Sequence, residues 1–328
     1  MRRTLILLNV FLLCMALAGC GEHMLPPTPD GLRREEPLLT VNGRSVAAGE
    51  YLYWLTTICQ ELESQYASVG KTIDWDSPAE EGTLADYAKN QALRSVALYA
   101  TVENWAEQYG CVITEEDQRQ LAEQWKEKAE SCGGEPVYLD LLAERGLDRK
   151  SAERMAQDHW LYGKLCALAE TETSSLYAAD YELEAYFTER QYLTMRLLNF
   201  AGEGAASQAA EAFVRLNGAV DTAAEFEALG GVVAKTYLPG DGVLPGVVFD
   251  AAAMLEPGQV SGILETGDET YAILLRVEND LDAVRPAHFD HRLQTAADGA
   301  DILVTEAYER IDTAQLRKGA LQAAKFGN

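Results

Sequence analysis

The chain has few basic residues, and this shortage limits its partners. Of 328 residues, 27 are Lys or Arg and 52 are Asp or Glu, which gives a formal net charge of -25. A surface of that sign repels nucleic acid and anionic lipid headgroups. We therefore expect no nucleic-acid partner, whereas weak capture of basic polypeptides is compatible with the charge.

Closely spaced metal ligands are also lacking. Cys59, Cys111, Cys132 and Cys166 are far apart, form no C-x-x-C pair and have no histidine at ligand spacing. We predict no metal site and no cofactor. Four free thiols or one or two disulfides fit this spacing equally, so the redox state of these cysteines stays open.

The first 19 residues have the pattern of an export signal. Arg2 and Arg3 precede an apolar run, Leu5 to Ala18, that is too short for a stable spanning helix. The Leu17-Ala18-Gly19-Cys20 sequence resembles the lipobox of bacterial lipoproteins, which implies cleavage before Cys20 and acylation of that cysteine. The alternative is an ordinary secretory signal or an uncleaved anchor. On either interpretation the chain leaves the cytoplasm.

Residues 20–37 are predicted to form a lipidated tether. Three prolines and several charges lie between Gly21 and Glu36, without a periodic apolar pattern. Several acyl chains give a durable anchor, whereas one chain binds a membrane only marginally. We expect the folded part to lie at the outer face of the cytoplasmic membrane, held there through Cys20.

A mainly helical region is predicted after the tether. Leu38 to Val41 followed by Asn42-Gly43 has the pattern of a strand and a tight turn. Apolar residues then recur at helical spacing, with Thr83 and Thr114 as N-caps and Gly110 as a left-handed stop. The predicted helices cover residues 48–67, 84–108, 115–131, 136–146, 149–169 and 180–190.

A small sheet with covering helices is predicted between Tyr192 and Val277, where short strand-like runs alternate with Gly and Pro. Strands are expected at 193–200, after 257–261 and at 271–277, and helices at 205–216, 223–229 and 249–255. Beyond Val277 we predict helices at 286–295 and 302–311. His288 and His291 lie on one face of the first of these and are expected to face solvent.

Two resemblances follow from these patterns. The Val41-Asn42-Gly43 run, the segment from Gln108 to Glu116 and the Gly146-Leu147 break resemble the N-terminal region of PrsA/SurA-like extracytoplasmic foldases. The segment from Pro257 to Ser261, with its spacing to Tyr271-Ala272-Ile273-Leu274, resembles a parvulin domain. The resemblance implies an α+β fold, in which a helical chaperone domain at 38–190 is completed by 278–328 and a parvulin-like domain at 191–277 is inserted.

Parvulins isomerise the bond before proline, against a barrier of about 20 kcal/mol. Such a site needs an apolar pocket for the proline ring and polar groups that favour the twisted amide. In the family two histidines face each other above that pocket. Their positions fall at Arg196 and Ala272 here, and no histidine occurs from Leu161 to Ala287. The resemblance therefore implies a domain without the family's catalytic histidines.

The candidate peptide-binding residues each have a second interpretation. Arg196 could donate hydrogen bonds to a carbonyl of a bound polypeptide, or be an ordinary exposed or paired arginine. The apolar candidates could line the proline pocket or belong to the core. The full candidate set is Arg196, Leu198, Tyr237, Leu244, Phe249, Met254, Tyr271 and Leu274.

Together these patterns predict a membrane-anchored folding factor that holds unfolded exported proteins. Helices from both ends of the chain would form the holding surface, and the parvulin-like domain would add a second one. The alternatives are an isomerase that works through pocket shape, and a solute-binding lipoprotein with two similar sheet-rich lobes. Whether the chain is an enzyme, which proteins it holds and its oligomeric state stay open.

Overall fold

A computed structural model of the chain describes residues 32–80 and 82–317. The predicted export signal, Cys20 and most of the predicted tether lie outside the described residues. Within the described part, no helix combines the length and the hydropathy that crossing a membrane requires.

The described residues form two compact units. Among the described residues, the helical unit consists of 32–80, 82–168 and 291–317, and the sheet unit is Ala169–Asp290. With helices and two antiparallel sheets, the predicted α+β class is confirmed.

The helical unit begins with a hairpin and continues with long helices close to the predicted positions. Asn42 and Gly43 both have positive φ, 50° and 81°, as a two-residue hairpin turn requires. Its elements are β1 (Pro37–Val41), β2 (Arg44–Ala47), α1 (Ala48–Ser68), α2 (Leu84–Gln108), α3 (Glu115–Ser131), α4 (Glu135–Glu144) and α5 (Arg149–Ala169).

Thr83 and Thr114 are the N-caps of α2 and α3, as predicted, and each belongs to a capping box. The hydroxyl of Thr83 accepts a hydrogen bond from the Asp86 amide at 3.2 Å, and the Thr83 amide donates to the Asp86 carboxylate at 2.9 Å. Thr114 and Asp117 repeat this exchange at 3.2 and 2.7 Å. Each box satisfies donors that the first turn of a helix leaves without partners. After α2, Gly110 adopts φ 71° as the left-handed stop.

The C-terminal segment corrects one prediction. A helix was expected over 302–311, but Ile302–Val304 is a strand, β7, and only Glu306–Glu309 is helical, as α11. A short apolar run has no distinguishing period, so pairing with another strand decides its conformation. Strand β7 pairs antiparallel with β1, which gives a three-stranded sheet of order β2-β1-β7.

Both ends of the helical unit contribute to one core. Tyr51 of α1 and Tyr308 of α11 pack edge to face with ring centroids 5.1 Å apart, and Ile311 joins the same cluster. Farther along, the Arg317 guanidinium is bound by the Glu63 carboxylate at 2.6 Å. The helical unit is therefore completed by residues that follow the sheet unit in the sequence.

The sheet unit has one four-stranded antiparallel sheet of order β4-β3-β6-β5. Strand β4 was not predicted, because its three residues carry too little pattern. The elements are α6 (Asp180–Glu189), β3 (Leu193–Ala201), α7 (Ala205–Gly218), α8 (Thr222–Ala228), β4 (Lys235–Tyr237), α9 (Gly246–Ala253), β5 (Leu264–Gly267), β6 (Thr270–Arg276), a 3₁₀ turn (Asp282–Val284) and the start of α10 (Arg285–Asp298), which continues into the helical unit from His291.

The units divide the chain after residues 168 and 290, whereas the sequence placed the divisions after 190 and 277. The difference has a packing cause. Tyr186 and Phe187 of α6 form a buried cluster with Val284 of the 3₁₀ turn. Helix α6 and the start of α10 therefore belong with the sheet unit.

Replacing Tyr308 by Ala tests the contribution of the C-terminal segment to the helical core. Tyr308 is only 7% exposed, so we expect Tyr308→Ala to lower the free energy of unfolding of the helical unit by about 3 kcal/mol. All five tryptophans lie between residues 54 and 160, so tryptophan fluorescence during urea denaturation reports this unit. The control is Leu303→Ala at a side chain that is 63% exposed, which should change stability by less than about 0.5 kcal/mol. Equal effects of the two variants would contradict the prediction.

Candidate functional site

The sheet of the sheet unit has helices on both of its faces. Residues directly opposite each other in an antiparallel pair have side chains on the same face. Leu198 lies opposite Ile273, and Leu197 lies opposite Leu274. The first pair packs against Ala212, Leu216 and Phe226 of α7 and α8, which defines the α7/α8 face.

The other side of the sheet is the α9 face. Here Met195 and Leu274 pack against Val248 and Ala252 of α9. Half-buried side chains at the margin of this cluster include Tyr237 and Leu244. Both faces are thus filled by ordinary apolar packing along the middle of the sheet.

Arg196 and Ala272 lie on opposite faces. Arg196 is opposite Leu275, on the α7/α8 face, whereas Ala272 is opposite Asn199, on the α9 face. Because side chains alternate along a strand, a register offset of three residues puts the two positions on different sides. Side chains at these two positions therefore cannot face each other.

Arg196 is mostly enclosed and weakly paired. Its side chain is 25% exposed, and its Nη1 lies 3.9 Å from a carboxylate oxygen of Glu227 on α8. Its Nε is buried without a hydrogen-bond partner. A buried donor without a partner costs about 1–3 kcal/mol, so we expect the Arg196 guanidinium to add little to the stability of the sheet unit.

The remaining candidates differ in accessibility. Leu198, Phe249 and Leu274 are buried core residues, and Tyr237, Leu244 and Tyr271 are half-buried. Met254, at the C-terminal end of α9, is 87% exposed. Only Met254 therefore offers a large apolar surface to a ligand without a rearrangement.

Tyr237 is the polar group at the margin of the α9 face. Burial raises the pKa of its phenol, and the nearby Asp241 carboxylate raises it further. The phenol therefore stays neutral at physiological pH and keeps a proton to donate. Asp241 is held in place by a 2.8 Å hydrogen bond from the Val243 amide.

An exposed stripe on α9 was not found from the sequence. Val248 and Ala252 face the sheet, so Val247, Asp250 and Met254, at spacings of three and four residues, lie on the outer side of the helix. Val243 precedes this helix and is also exposed. We call Val243, Val247, Asp250 and Met254 the α9 stripe. In the sequence, the spacing of two helical turns between Val247 and Met254 is the signal that could have identified the α9 stripe.

Exposed apolar side chains are unevenly distributed between the units. The large ones described in the helical unit are Val69, Val112, Val137, Leu303 and Val304. The smaller sheet unit has Tyr181, Val214, Val220, Val232, Val233, Val243, Val247, Met254 and Ile263. We predicted that the helices provide the main apolar surface for holding polypeptides. The distribution favours the sheet unit instead, because most of the large exposed apolar side chains described lie there.

The histidine and cysteine predictions can also be compared with the structure. His288 was expected to face solvent, but it is buried, with its ring 5.2 Å from the Tyr186 ring. The packing of α10 on α6 encloses it. The four cysteines of the described part form no disulfides with one another. No three potential metal-ligating side chains cluster within residues 32–80 and 82–317.

No family model and no curated protein sequence matches the chain. Among solved structures, the chain is similar to the foldase PrsA of Lactococcus lactis, with 15% identity and a TM-score of 0.29, over 89% of this chain and 93% of that one. It is also similar to the foldase PrsA of Streptococcus pneumoniae, with 18% identity and a TM-score of 0.27, over 77% and 93%.

SurA-like chaperones form a second group of similar structures. One from Campylobacter jejuni has 10% identity and a TM-score of 0.23, over 82% of this chain and 99% of that one. These are the two groups of proteins that the sequence resembles. At such TM-scores the similarity carries no argument about fold or function, so function has to be argued from the residues of the site.

Replacing Arg196 by Met tests whether its guanidinium is structurally required. Since its Nε has no partner and its ion pair is long, we expect Arg196→Met to leave the free energy of unfolding of the sheet unit unchanged or to raise it by about 1 kcal/mol. Hydrogen exchange of the β3 and β6 amides measures this, because the sheet unit contains no tryptophan.

The matched control for this substitution is Arg276→Met in the same sheet. Arg276 is buried, and its guanidinium donates to the Thr194 carbonyl at 2.6 Å and to the Asn279 side chain at 2.7 Å. We expect Arg276→Met to cost about 3 kcal/mol. If Arg196→Met were as destabilising as Arg276→Met, Arg196 would be a structural residue after all.

Proposed function

We propose that the chain is a membrane-anchored extracytoplasmic folding factor that holds unfolded exported proteins. Its sheet unit is of the parvulin type and lacks the catalytic histidines. Acylated Cys20 anchors the chain, and residues 21–31 form the tether, because Leu32 already packs into the core of the helical unit. The sheet unit provides the main polypeptide-binding surface, with the α9 stripe at its centre.

The observation that carries this proposal is the outward apolar surface of α9. Apolar side chains that remain in water are a cost unless a partner covers them, and exposed patches of this kind mark interaction sites. Val247 and Met254 lie on one side of the same short helix, and Val243 adjoins them. Unfolded polypeptides supply the apolar side chains that such a surface would cover.

Holding without catalysis fits the polar groups of the sheet. Isomerisation requires polar groups that stabilise the twisted amide more than the planar one. The positions expected to supply an imidazole pair are Arg196 and Ala272, and they lie on different faces. Asn199 and Tyr237 are polar groups on the α9 face, and neither reproduces a facing pair of imidazoles.

The solute-binding alternative requires two similar sheet-rich lobes. The described sheets differ in strand number and in order, β2-β1-β7 and β4-β3-β6-β5. The first is packed on long helices, and the second is covered on both faces. A polypeptide-holding function is therefore the better match to the two units.

Removing the apolar side chains of the α9 stripe tests the holding function. We expect Val247→Ser combined with Met254→Ser to weaken the hold on unfolded proteins, so that about tenfold more chain is needed to keep half of a denatured model protein in solution. This corresponds to losing roughly 1.4 kcal/mol of apolar burial. The measurement is light scattering as a model protein is diluted from urea in the presence of residues 21–328.

The control for this experiment is Val214→Ser combined with Val220→Ser in the same unit. These two side chains are also exposed, lie outside the α9 stripe, and should leave the holding activity unchanged. Equal loss in both double variants would indicate a nonspecific surface effect. Full activity in the stripe variant would refute the proposed binding surface.

An isomerase assay tests the second part of the proposal. Uncatalysed isomerisation of X-Pro bonds takes tens to hundreds of seconds. We expect the full chain to leave that rate unchanged with a proline-containing peptide, because its sheet unit has no pair of facing imidazoles. An acceleration that is lost in the Val247→Ser, Met254→Ser double variant would establish the enzyme alternative instead.

A further inference from the structure

Strand β3 of the sheet unit is longer than the strand that covers one of its two edges. It has nine residues, Leu193–Ala201, and pairs with β6 from Met195 to its end. On the other edge, β4 has three residues and pairs only with the first three of β3. Within the described residues, no strand pairs with this edge beyond Met195. We call residues Leu197–Ala201 on this side the open edge of β3.

The hydrogen bonds of β3 show which backbone groups point to the open edge. On the β6 side, the Thr194 carbonyl accepts a hydrogen bond from the Val277 amide at 3.2 Å. Successive residues of an antiparallel strand direct their backbone groups to alternate edges. The amides and carbonyls of Leu197, Asn199 and Ala201 therefore point away from β6. They have the spacing that an added strand requires.

The two outer strands of this sheet carry features that oppose strand addition, and the open edge lacks these features. Short edge strands, charged side chains and bulges discourage the pairing of an edge with another chain. Strand β4 is short and has the exposed Lys235, and the pairing of β5 shifts register after Glu265. The open edge has five uncharged residues, and its pairing with β6 keeps one register throughout. Asn199, at its middle, is exposed.

Acidic side chains lie at the C-terminal end of the open edge. Gly202 follows β3, and its amide donates to the Glu269 carbonyl at 3.3 Å. Glu203 and Asp268 adjoin these two residues in the sequence, and all three acidic residues are exposed. Such a group of charges attracts basic side chains that come within a Debye length, about 8 Å at physiological salt. An apolar segment with a neighbouring Lys or Arg therefore complements the open edge.

We propose that the open edge of β3 binds an extended segment of an unfolded polypeptide as an added strand, with a basic residue of that segment near Glu203 and Glu269. Strand addition obtains affinity from backbone hydrogen bonds, which every polypeptide can form. Five residues of strand span about 16 Å, so a short segment covers the edge. This inference rests on the proposed holding function and names how the backbone of a held polypeptide is bound.

A second copy of this chain is the competing occupant. Each copy has a formal net charge of -25, so pairing of two open edges would bring two strongly acidic molecules together. An unfolded segment that carries basic residues has the opposite charge. Charge therefore favours the unfolded segment over self-association.

Replacing Asn199 by Pro tests the added strand, because proline lacks the amide hydrogen that points to the open edge. The hydrogen bonds to β6 come from the neighbouring residues, Leu198 and Phe200, and are retained. The probe is a short fluorescent peptide of alternating Val and Thr with lysines at one end. We expect Asn199→Pro in the full chain to raise the dissociation constant of this peptide about tenfold, as measured by fluorescence anisotropy.

The matched control is Asn199→Thr, which keeps the backbone amide and introduces a residue that favours strands. It should leave the dissociation constant unchanged. If Asn199→Pro binds the peptide as tightly as Asn199→Thr, the added strand is ruled out. A dimer of the wild-type chain in sedimentation, converted to a monomer by Asn199→Pro, would assign the edge to a second copy and overturn the proposal.

The charges of the peptide test the acidic end of the edge. Replacing its lysines by glutamates should weaken binding to the wild-type chain, because these side chains would meet the carboxylates of Glu203 and Glu269. Equal affinity for the two peptides would contradict the proposed position of the basic residue.

A measurement on the wild-type chain covers the case in which Asn199→Pro does not fold. Methylation of alternate amide nitrogens gives two versions of the peptide, because only every second amide of an added strand faces the sheet. We expect one version to lose binding and the other to keep it. Equal binding of both versions, or equal loss, would overturn the proposal.

The light-scattering assay with a denatured protein separates this inference from the proposed function. If the wild-type chain keeps the denatured protein in solution but does not bind the peptide, the open edge is refuted and the holding function stands. If the wild-type chain binds neither, the proposed function fails together with this inference.

Discussion

Antiparallel pairing of β1 with β7 is the constraint on which the helical unit depends. The Asp301 amide donates to the Asn42 side chain at 2.8 Å across a sequence separation of 259 residues, and Thr305 binds the Leu38 carbonyl. This pairing places Tyr308 against α1. A core built from such distant segments cannot close until the C-terminal segment is present, and contacts of this separation carry a high entropic cost of loop closure.

In the sheet unit, strict alternation of side chains is the corresponding constraint. It assigns Arg196 to one face and Ala272 to the other, and both faces are largely occupied by packing. The outer side of α9 and the margin of the sheet beside Tyr237 are among the described surfaces of this unit that stay open to a ligand. A polypeptide-holding role therefore rests on surface that the core does not need, whereas imidazole catalysis would need a different pair of residues on one face.

Acidic residues dominate this chain, and their surroundings give them opposite properties. Asp117 accepts hydrogen bonds from Lys164, from the start of α3 and from Trp160, which hold its pKa below the ordinary range. Asp158 is enclosed beside Glu103, and its pKa is raised. The first carboxyl group stays charged and caps a helix, whereas burial favours the neutral form of the second. The same residue type thus serves two purposes because desolvation and hydrogen bonding compete.

The sequence by itself determined the long helices, their capping residues such as Thr83 and Thr114, the Asn42-Gly43 turn, and the missing histidines. These features depend on interactions within a few residues, so local patterns suffice to predict them. Only the tertiary structure decided that 302–304 is a strand, that β4 exists, that His288 is buried, and which sheet face holds Arg196. Such features depend on register and on packing between segments far apart in the sequence, and a short apolar run carries no information about its eventual partner.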